Sequence, residues 1–336
     1  MIVYIREQGA KIRREGERLI VCAKSGERLL FAHQLEQLVL FGNVHMTAQA
    51  RSLLLAKKID TVFLSSVGSY RGRLGSGEGE NVFLRKRQFE LVSDQTFQLK
   101  TARAIVLAKL RNQAAALGRL KREHSIDAAD KGVDELQRLE LKARKASEVD
   151  SLRGLEGSGA VVYFKYFCLA FHQDWGFEKR VRRPPTDPVN VVLSFVYTLL
   201  ADRCHSACRL AGLDPYPGHL HNLEYGRMSL PLDLMEEFRA IFADAIVLAL
   251  FNRRILKEED FARRPEEVGE NCPLILRKTG VEKIVDAFVK KLAAEFRHPR
   301  SGERTNYERL IHDQGRAYRD AIEEKVERYE PIIWDK

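Results

Sequence analysis

Cysteine is sparse and irregular in this chain: there are five in 336 residues, an odd number without the spacing of a disulfide framework, so reduced thiols are expected. Long apolar runs are missing too. The longest, residues 191–201, contains Ser194 and Thr198 and falls short of the roughly 20 residues a membrane span needs. Ahead of Arg6 the apolar stretch is too short for a signal-peptide core, and a cytoplasmic protein with no membrane segment is the expectation. A phosphate loop is also lacking. Residues 75–79, GSGEG, break all periodicity but are not followed by Lys and Ser or Thr, which argues for a flexible loop rather than a nucleotide cradle. There is no internal repeat and no low-complexity tract.

Charge is what the chain has in quantity. Charged residues make up 31% and hydrophobic residues 45%, a globular composition long enough for two domains of roughly 100 to 200 residues. Lys and Arg number 56 against 47 Asp and Glu, a net charge of +9, so the surface field should attract polyanions such as nucleic acid.

The pattern changes once along the chain. Residues 2–5, 10–14, 19–23 and 29–32 are short apolar runs separated by Gly9, Glu15-Gly16 and Ser25-Gly26, which predicts a meander of hairpins. Residues 38–41 and 61–65 add strands, and Thr47 can cap a short helix over 48–58. From about Gln88 helical spacing takes over. The expectation is an α+β multidomain chain, with a β-rich part over 1–87 and an all-helical part over 88–336. Within the latter, residues 101–150 are dense in Arg, Lys and Glu, giving either a solvated helical face or one that contacts phosphates. An apolar helix over 160–171 and a helix over 190–210 follow, with a basic break at 179–185 between them.

Three segments carry candidate chemistry. In GLEGSGA, residues 154–160, small residues flank Glu156, so a DNA backbone or another helix could come close; a Glu in the first turn of a helix is also favoured by the macrodipole alone. In the second segment, Ser229 can cap one long helix over 230–256, with Pro231 early in it. Asp233 and Glu236, three apart, share a face of that helix among Leu230, Leu234, Phe238, Ile241 and Phe242. Acids in such surroundings need a neutralising partner, either a divalent metal or an Arg. His221 lies just upstream, and one imidazole plus carboxylates suits Mg²⁺ or Mn²⁺, though a lone His is also an ordinary packed or surface residue. If the segment is extended, His219 points the same way as His221. The third segment holds Arg180, Arg182 and Arg183 before two prolines, a loop that could grip phosphates or serve as plain charged surface. Tyr225 and Ser229 are the protein hydroxyls nearest these motifs in sequence, and Cys204 and Cys208 read as core residues.

Taken together and in order, EGSGA at Glu156, RRPPTDPVN at 182–190, and GHLH followed by YGRMSLPLDLMEEFR resemble the CRISPR-associated integrase and endonuclease family Cas1, the universal spacer-acquisition protein. FGNVHMT at 41–47 and LRKRQ at 84–88 extend the resemblance over most of the chain. His219 and Ala240 depart from the family's common pattern. The resemblance implies metal ligation by Glu156, His221 and Glu236, with Asp233 a further acid as ligand or support. It also implies a metal-dependent integrase that inserts spacer DNA into a CRISPR array by transesterification. The partners implied are DNA, a second copy in a homodimer formed through the N-terminal domain, and a small ferredoxin-like CRISPR-associated protein in a heterohexamer. A metal-dependent nuclease of branched DNA would use the same ligands with water as nucleophile, and a non-catalytic nucleic-acid scaffold would need the basic surface but not the acids.

Overall fold

The computed structural model describes residues 1–66, 68, 70–75, 81–124, 128–182, 184–263 and 274–334. The chain forms two compact units, one over Met1–Glu78 with Glu259–Ala262 and Ile275–Glu282, the other over Gly79–Glu258 with Arg263–Leu274 and Lys283–Lys336. The glycine-rich stretch after Gly75, and Arg183, lie outside the described residues.

In the first unit the strands are β1 (Ile2–Ile5), β2 (Lys11–Glu15), β3 (Arg18–Ala23), β4 (Gly26–Phe31), β5 (Gln37–Phe41), β6 (His45–Met46), β7 (Asp60–Leu64) and β8 (Tyr70–Leu74). The hairpins predicted between β2, β3 and β4 are present and antiparallel. The meander does not extend to the rest. β1 pairs in parallel with β5, which pairs in parallel with β7, giving a second sheet of order β1-β5-β7-β8. Its central strand, β5, is buried along its whole length, the unbroken apolar pattern expected of a parallel strand. Both sheets and helix α1 (Ala48–Ala56) share one core that includes Ile12, Leu19, Leu38, Leu40 and Leu54. Thr47 caps α1 as expected, its side chain accepting from the Ala50 amide at 3.2 Å. Gly42 ends β5 at φ +65°, where an L side chain is strained. The later segments of this unit bear most of the short pair β9 (Phe261–Arg263) and β10 (Leu274–Leu276).

The second unit begins with α2 (Val82–Val92), capped by Asn81, so the expected division after residue 87 falls inside a continuous helix. Helices α3 (Gln95–His124), α4 (Ala129–Lys145) and α5 (Val149–Phe167) pack on one another. Pro188 opens α6 (Pro188–Leu210), with Asp187 accepting from the Asn190 amide. The long helix expected over 230–256 is broken. It consists of α7 (Ser229–Met235), a π-helical stretch at Arg239–Asp244 and α8 (Ala245–Asn252). Ser229 is not its cap; the Ser229 hydroxyl donates instead to the Asn222 carbonyl at 2.8 Å. After α9 (Lys278–Ala293), the strands β11 (Glu295–Arg297) and β12 (Arg304–Asn306) form a small hairpin, so this part is helical but not all-helical. Helix α10 (Tyr307–Ile322) packs on α6, where Gly315 lets the helices close to the Ala207 carbonyl.

Candidate active site

Glu156 lies well inside α5, not in a first turn, because the helix starts at Val149. The small residues around it have separate uses. At Gly159 a side chain would collide with Leu110, so this glycine lets α5 lie directly on α3; Gly154 and Gly157 face open space. The close contact brings Lys109 of α3 to Glu156. Its ammonium is ion-paired with Glu156 and, at 2.6 Å, with Glu236, while its side chain is only 4% exposed. One buried cation thus joins the two acids singled out by sequence.

Glu236 directly follows α7 and is also held by Arg239, at 2.9 Å from its second oxygen. Burial raises the Glu236 pKa, but the Arg239 and Lys109 cations outweigh it, lowering the value to about 2. Of the two partners anticipated for a buried acid here, a divalent metal or an Arg, the Arg is present as Arg239. His221 Nε2 lies 3.8 Å from Glu236 Oε1.

Asp233 behaves as a socket. Its carboxylate accepts backbone N–H groups from three successive residues, His219 at 2.6 Å, Leu220 at 3.0 Å and His221 at 3.0 Å. It also engages His221 Nδ1 at 2.7 Å. With the proton on Nδ1 donated to Asp233, the Nε2 lone pair faces Glu236, the tautomer a metal-binding imidazole needs. Gly218 permits this wrap, since a Cβ there would stand 2.8 Å from Asp233 Oδ2. Arg153 of α5 donates to the Leu220 carbonyl at 2.6 Å and ties the segment to the Glu156 helix.

His219 does not join the group. Its ring is fully buried, with Nδ1 at 2.5 Å from the Tyr318 hydroxyl and the ring edge-on to Phe97, and burial lowers its pKa to about 4. It is a core histidine.

Beside Lys109 and Glu156 opens a cavity of about 520 Å³, lined also by Lys165, Lys179, Arg180 and Arg182. Arg182 is exposed. The Arg180 guanidinium is committed to the Val181 carbonyl, Asn190 Oδ1 and Ser194 Oγ, and lies 5.5 Å from the Tyr197 ring centre, so it props the loop against α6. Tyr225 is fully exposed, and Ser229 is buried against Asn222, so neither hydroxyl is paired with a base. Cys204 and Cys208 are buried thiols not joined in a disulfide.

The sequence reading missed Lys109 and Arg239. Lys109 carried a signal, because it interrupts an apolar face formed by Ile105, Val106, Ala108 and Leu110, all buried. The donor set of Glu156, Glu236 and the freed His221 Nε2 fits a divalent cation, and a cation already stands between the carboxylates. As arranged around the ammonium the three are not drawn together; among the described residues no trio of His, Cys, Asp or Glu is.

A β-rich unit is thus followed by a helical unit that holds a His–carboxylate cluster and a basic cavity. The family model described as CRISPR associated protein Cas1 matches residues 3–290, and the chain belongs to that family. The CRISPR-associated endonuclease Cas1 3 of Thermus thermophilus is 36% identical over 334 residues, covering 98% of this chain and 96% of its own. A solved Cas1 protein from Thermotoga maritima superposes with a TM-score of 0.81 at 27% identity over 96% of both chains. A casposase bound to integration product shares the fold, with a TM-score of 0.84 at 22% identity over 98% of this chain and 92% of its own.

Proposed function

We propose that this chain is a metal-dependent DNA integrase that joins spacer DNA to a CRISPR repeat by transesterification, with Glu156, His221 and Glu236 holding Mg²⁺ or Mn²⁺. The observation that carries the reading is the Asp233–His221–Glu236–Lys109–Glu156 chain of contacts at the edge of the basic cavity. Asp233 fixes the His221 tautomer and ring direction, and Arg239 keeps Glu236 ionised. Lys165, Lys179 and Arg182 on the cavity wall supply attraction for phosphates without base contacts. The chemistry such an ion supplies is polarisation of the phosphodiester and activation of a hydroxyl. The incoming DNA 3′-hydroxyl is the nucleophile, since neither Tyr225 nor Ser229, the hydroxyls nearest the motifs in sequence, has a base beside it. One phosphodiester replaces another, so no nucleotide energy source is needed. Family membership supports the remaining parts of the reading: a cytoplasmic homodimer formed through the first unit, acting in a heterohexamer with a small ferredoxin-like CRISPR-associated partner.

The test is a joining assay with labelled donor DNA, repeat DNA and Mn²⁺. Donor ending in a 3′-hydroxyl should be joined, and donor ending in a 3′-deoxy sugar should bind without being joined. Cleavage without joined product would favour the nuclease of branched DNA, in which water attacks. A denaturation-stable adduct on Tyr225 or Ser229 would overturn direct transesterification.

A further inference from the structure

Lys109 sits where a metal between Glu156 and Glu236 would have to sit. Its ammonium contacts both carboxylates and its side chain is almost fully buried. An ammonium and a divalent cation cannot share that space, because like charges a few ångströms apart in a poorly solvated site repel strongly. Arg239 would remain on Glu236 as the second positive charge. Metal entry therefore requires the ammonium to leave. Helix α3 is not free to carry it away, since Ala108 and Leu110 are buried and Leu110 is packed against Gly159. The side chain has somewhere to go. Lys109 lines the cavity of about 520 Å³ that also exposes Lys165, Lys179 and Arg182, and a four-carbon stem can turn into it by rotamer change alone.

We propose that Lys109 is an exchangeable internal cation: without metal it holds Glu156 and Glu236 together, and metal entry turns its ammonium into the cavity, where it takes an oxygen of the DNA phosphodiester backbone. The exchange keeps the carboxylates neutralised throughout and makes metal and DNA binding mutually reinforcing, because each favours the same position of one side chain. The proposal rests on the metal-binding reading above, and its test can fail separately from it.

Mn²⁺ binding to the full-length protein, without DNA, is measured by calorimetry for the wild type and for Lys109→Met. An internal competitor that fills the site most of the time lowers apparent affinity by the fraction of time it leaves free, so Lys109→Met should bind Mn²⁺ roughly tenfold tighter or more. A lysine that merely scaffolds the acids predicts the opposite sign. A second measurement on the wild type does not depend on the variant folding: acylation of Lys109 by an amine-reactive reagent, read by peptide mass mapping, should rise several-fold when Mn²⁺ is added. Mn²⁺ should also tighten DNA binding by the wild type and lose that effect in Lys109→Met. If the wild type binds Mn²⁺ but labelling of Lys109 does not change, or the folded variant binds Mn²⁺ no tighter, the exchange is overturned alone. If the wild type binds no Mn²⁺, the metal reading falls and the exchange with it.

Discussion

Ile12, Leu19, Leu38 and Leu54 fill the interior of the β-rich unit, and the polar side chains its strands bury fully, Gln37 and Thr61, are uncharged. The helical unit is built otherwise: Lys109, Asp233, Glu236, Glu237 and Asp244 are each at most 4% exposed. Burying charge costs stability unless every partner is in place, and a hydrophobic filling of the same volume is usually no worse. Here the partners are specific. Glu237 receives the Tyr329 hydroxyl at 2.5 Å, Gln314 at 3.0 Å and the Ile332 amide, and burial, against those bonds, still raises its pKa to about 8. The first unit thus spends most of its interior on packing, Asp260 being a buried acid that accepts from the Thr279 hydroxyl at 2.8 Å, whereas the second holds several ionisable groups at fixed positions, and a local rule broken in that way is expected where chemistry is done.

The contrast is broken most severely at His221. His221→Ala should reduce DNA joining by about a thousandfold or more while circular dichroism and DNA binding stay near wild type, since affinity comes from the basic surface. Asp233→Ala, which leaves the imidazole but removes its socket, should cost about 10- to 100-fold in joining and in Mn²⁺ affinity. Equal losses for the two variants would mean that Asp233 is itself a ligand.

A core deletion in the other unit should do the reverse. Leu38→Ala removes a fully buried side chain from β5 and should destabilise that unit by about 2 to 5 kcal/mol, seen as an earlier unfolding transition, with Mn²⁺ affinity below that transition unchanged. A fall in Mn²⁺ affinity would erase the distinction drawn between the two interiors.

The smallest effect is a difference in pH dependence. Asp244 is buried, and although the Tyr197 hydroxyl donates to it at 2.7 Å, burial raises its pKa to about 6. Between pH about 4 and 6 the folded protein keeps a proton that the unfolded chain releases, so this group's contribution to stability falls as pH rises through that window. Asp244→Asn should remove the fall and gain on the wild type by up to roughly 3 kcal/mol above pH 6. Parallel stability curves for the two proteins would show that Asp244 is not held protonated.

Local signals were legible in the amino-acid order. The β2–β3–β4 hairpins, the Thr47 cap and the strand-then-helix organisation follow from alternation, turn residues and capping chemistry, all within a few residues of one another. Glu156, His221, Asp233 and Glu236 were found as motif residues, and the geometry links them through contacts. What stayed hidden depends on pairing across long separations. The parallel pairing of β1 and β7 with the fully buried β5 is set by no turn, and Lys109 meets its acids only once α3 and α5 are packed. The π-helical stretch has no composition signature, so the 230–256 periodicity read as one helix. Arg180 lies in a loop that could grip phosphates or serve as plain charged surface, and that it also donates to Asn190 and Ser194 of the helix it precedes was not legible in the order of residues.

The Asp233 socket also determines which stretch of chain is open to rewriting. Because the carboxylate seizes His221 by both its amide and its ring, and Ser229 is fastened to Asn222 and to the Tyr216 carbonyl, both ends of the intervening segment are anchored independently of its middle. Leu223, Glu224, Tyr225 and Gly226 stand exposed between those anchors. Loop tips anchored in this way tolerate insertion, so a peptide tag or a fluorophore attachment site placed at Tyr225 should leave the imidazole in register. The exposed tip is therefore a graft point, while the His221 ring below it is fastened from behind by Asp233.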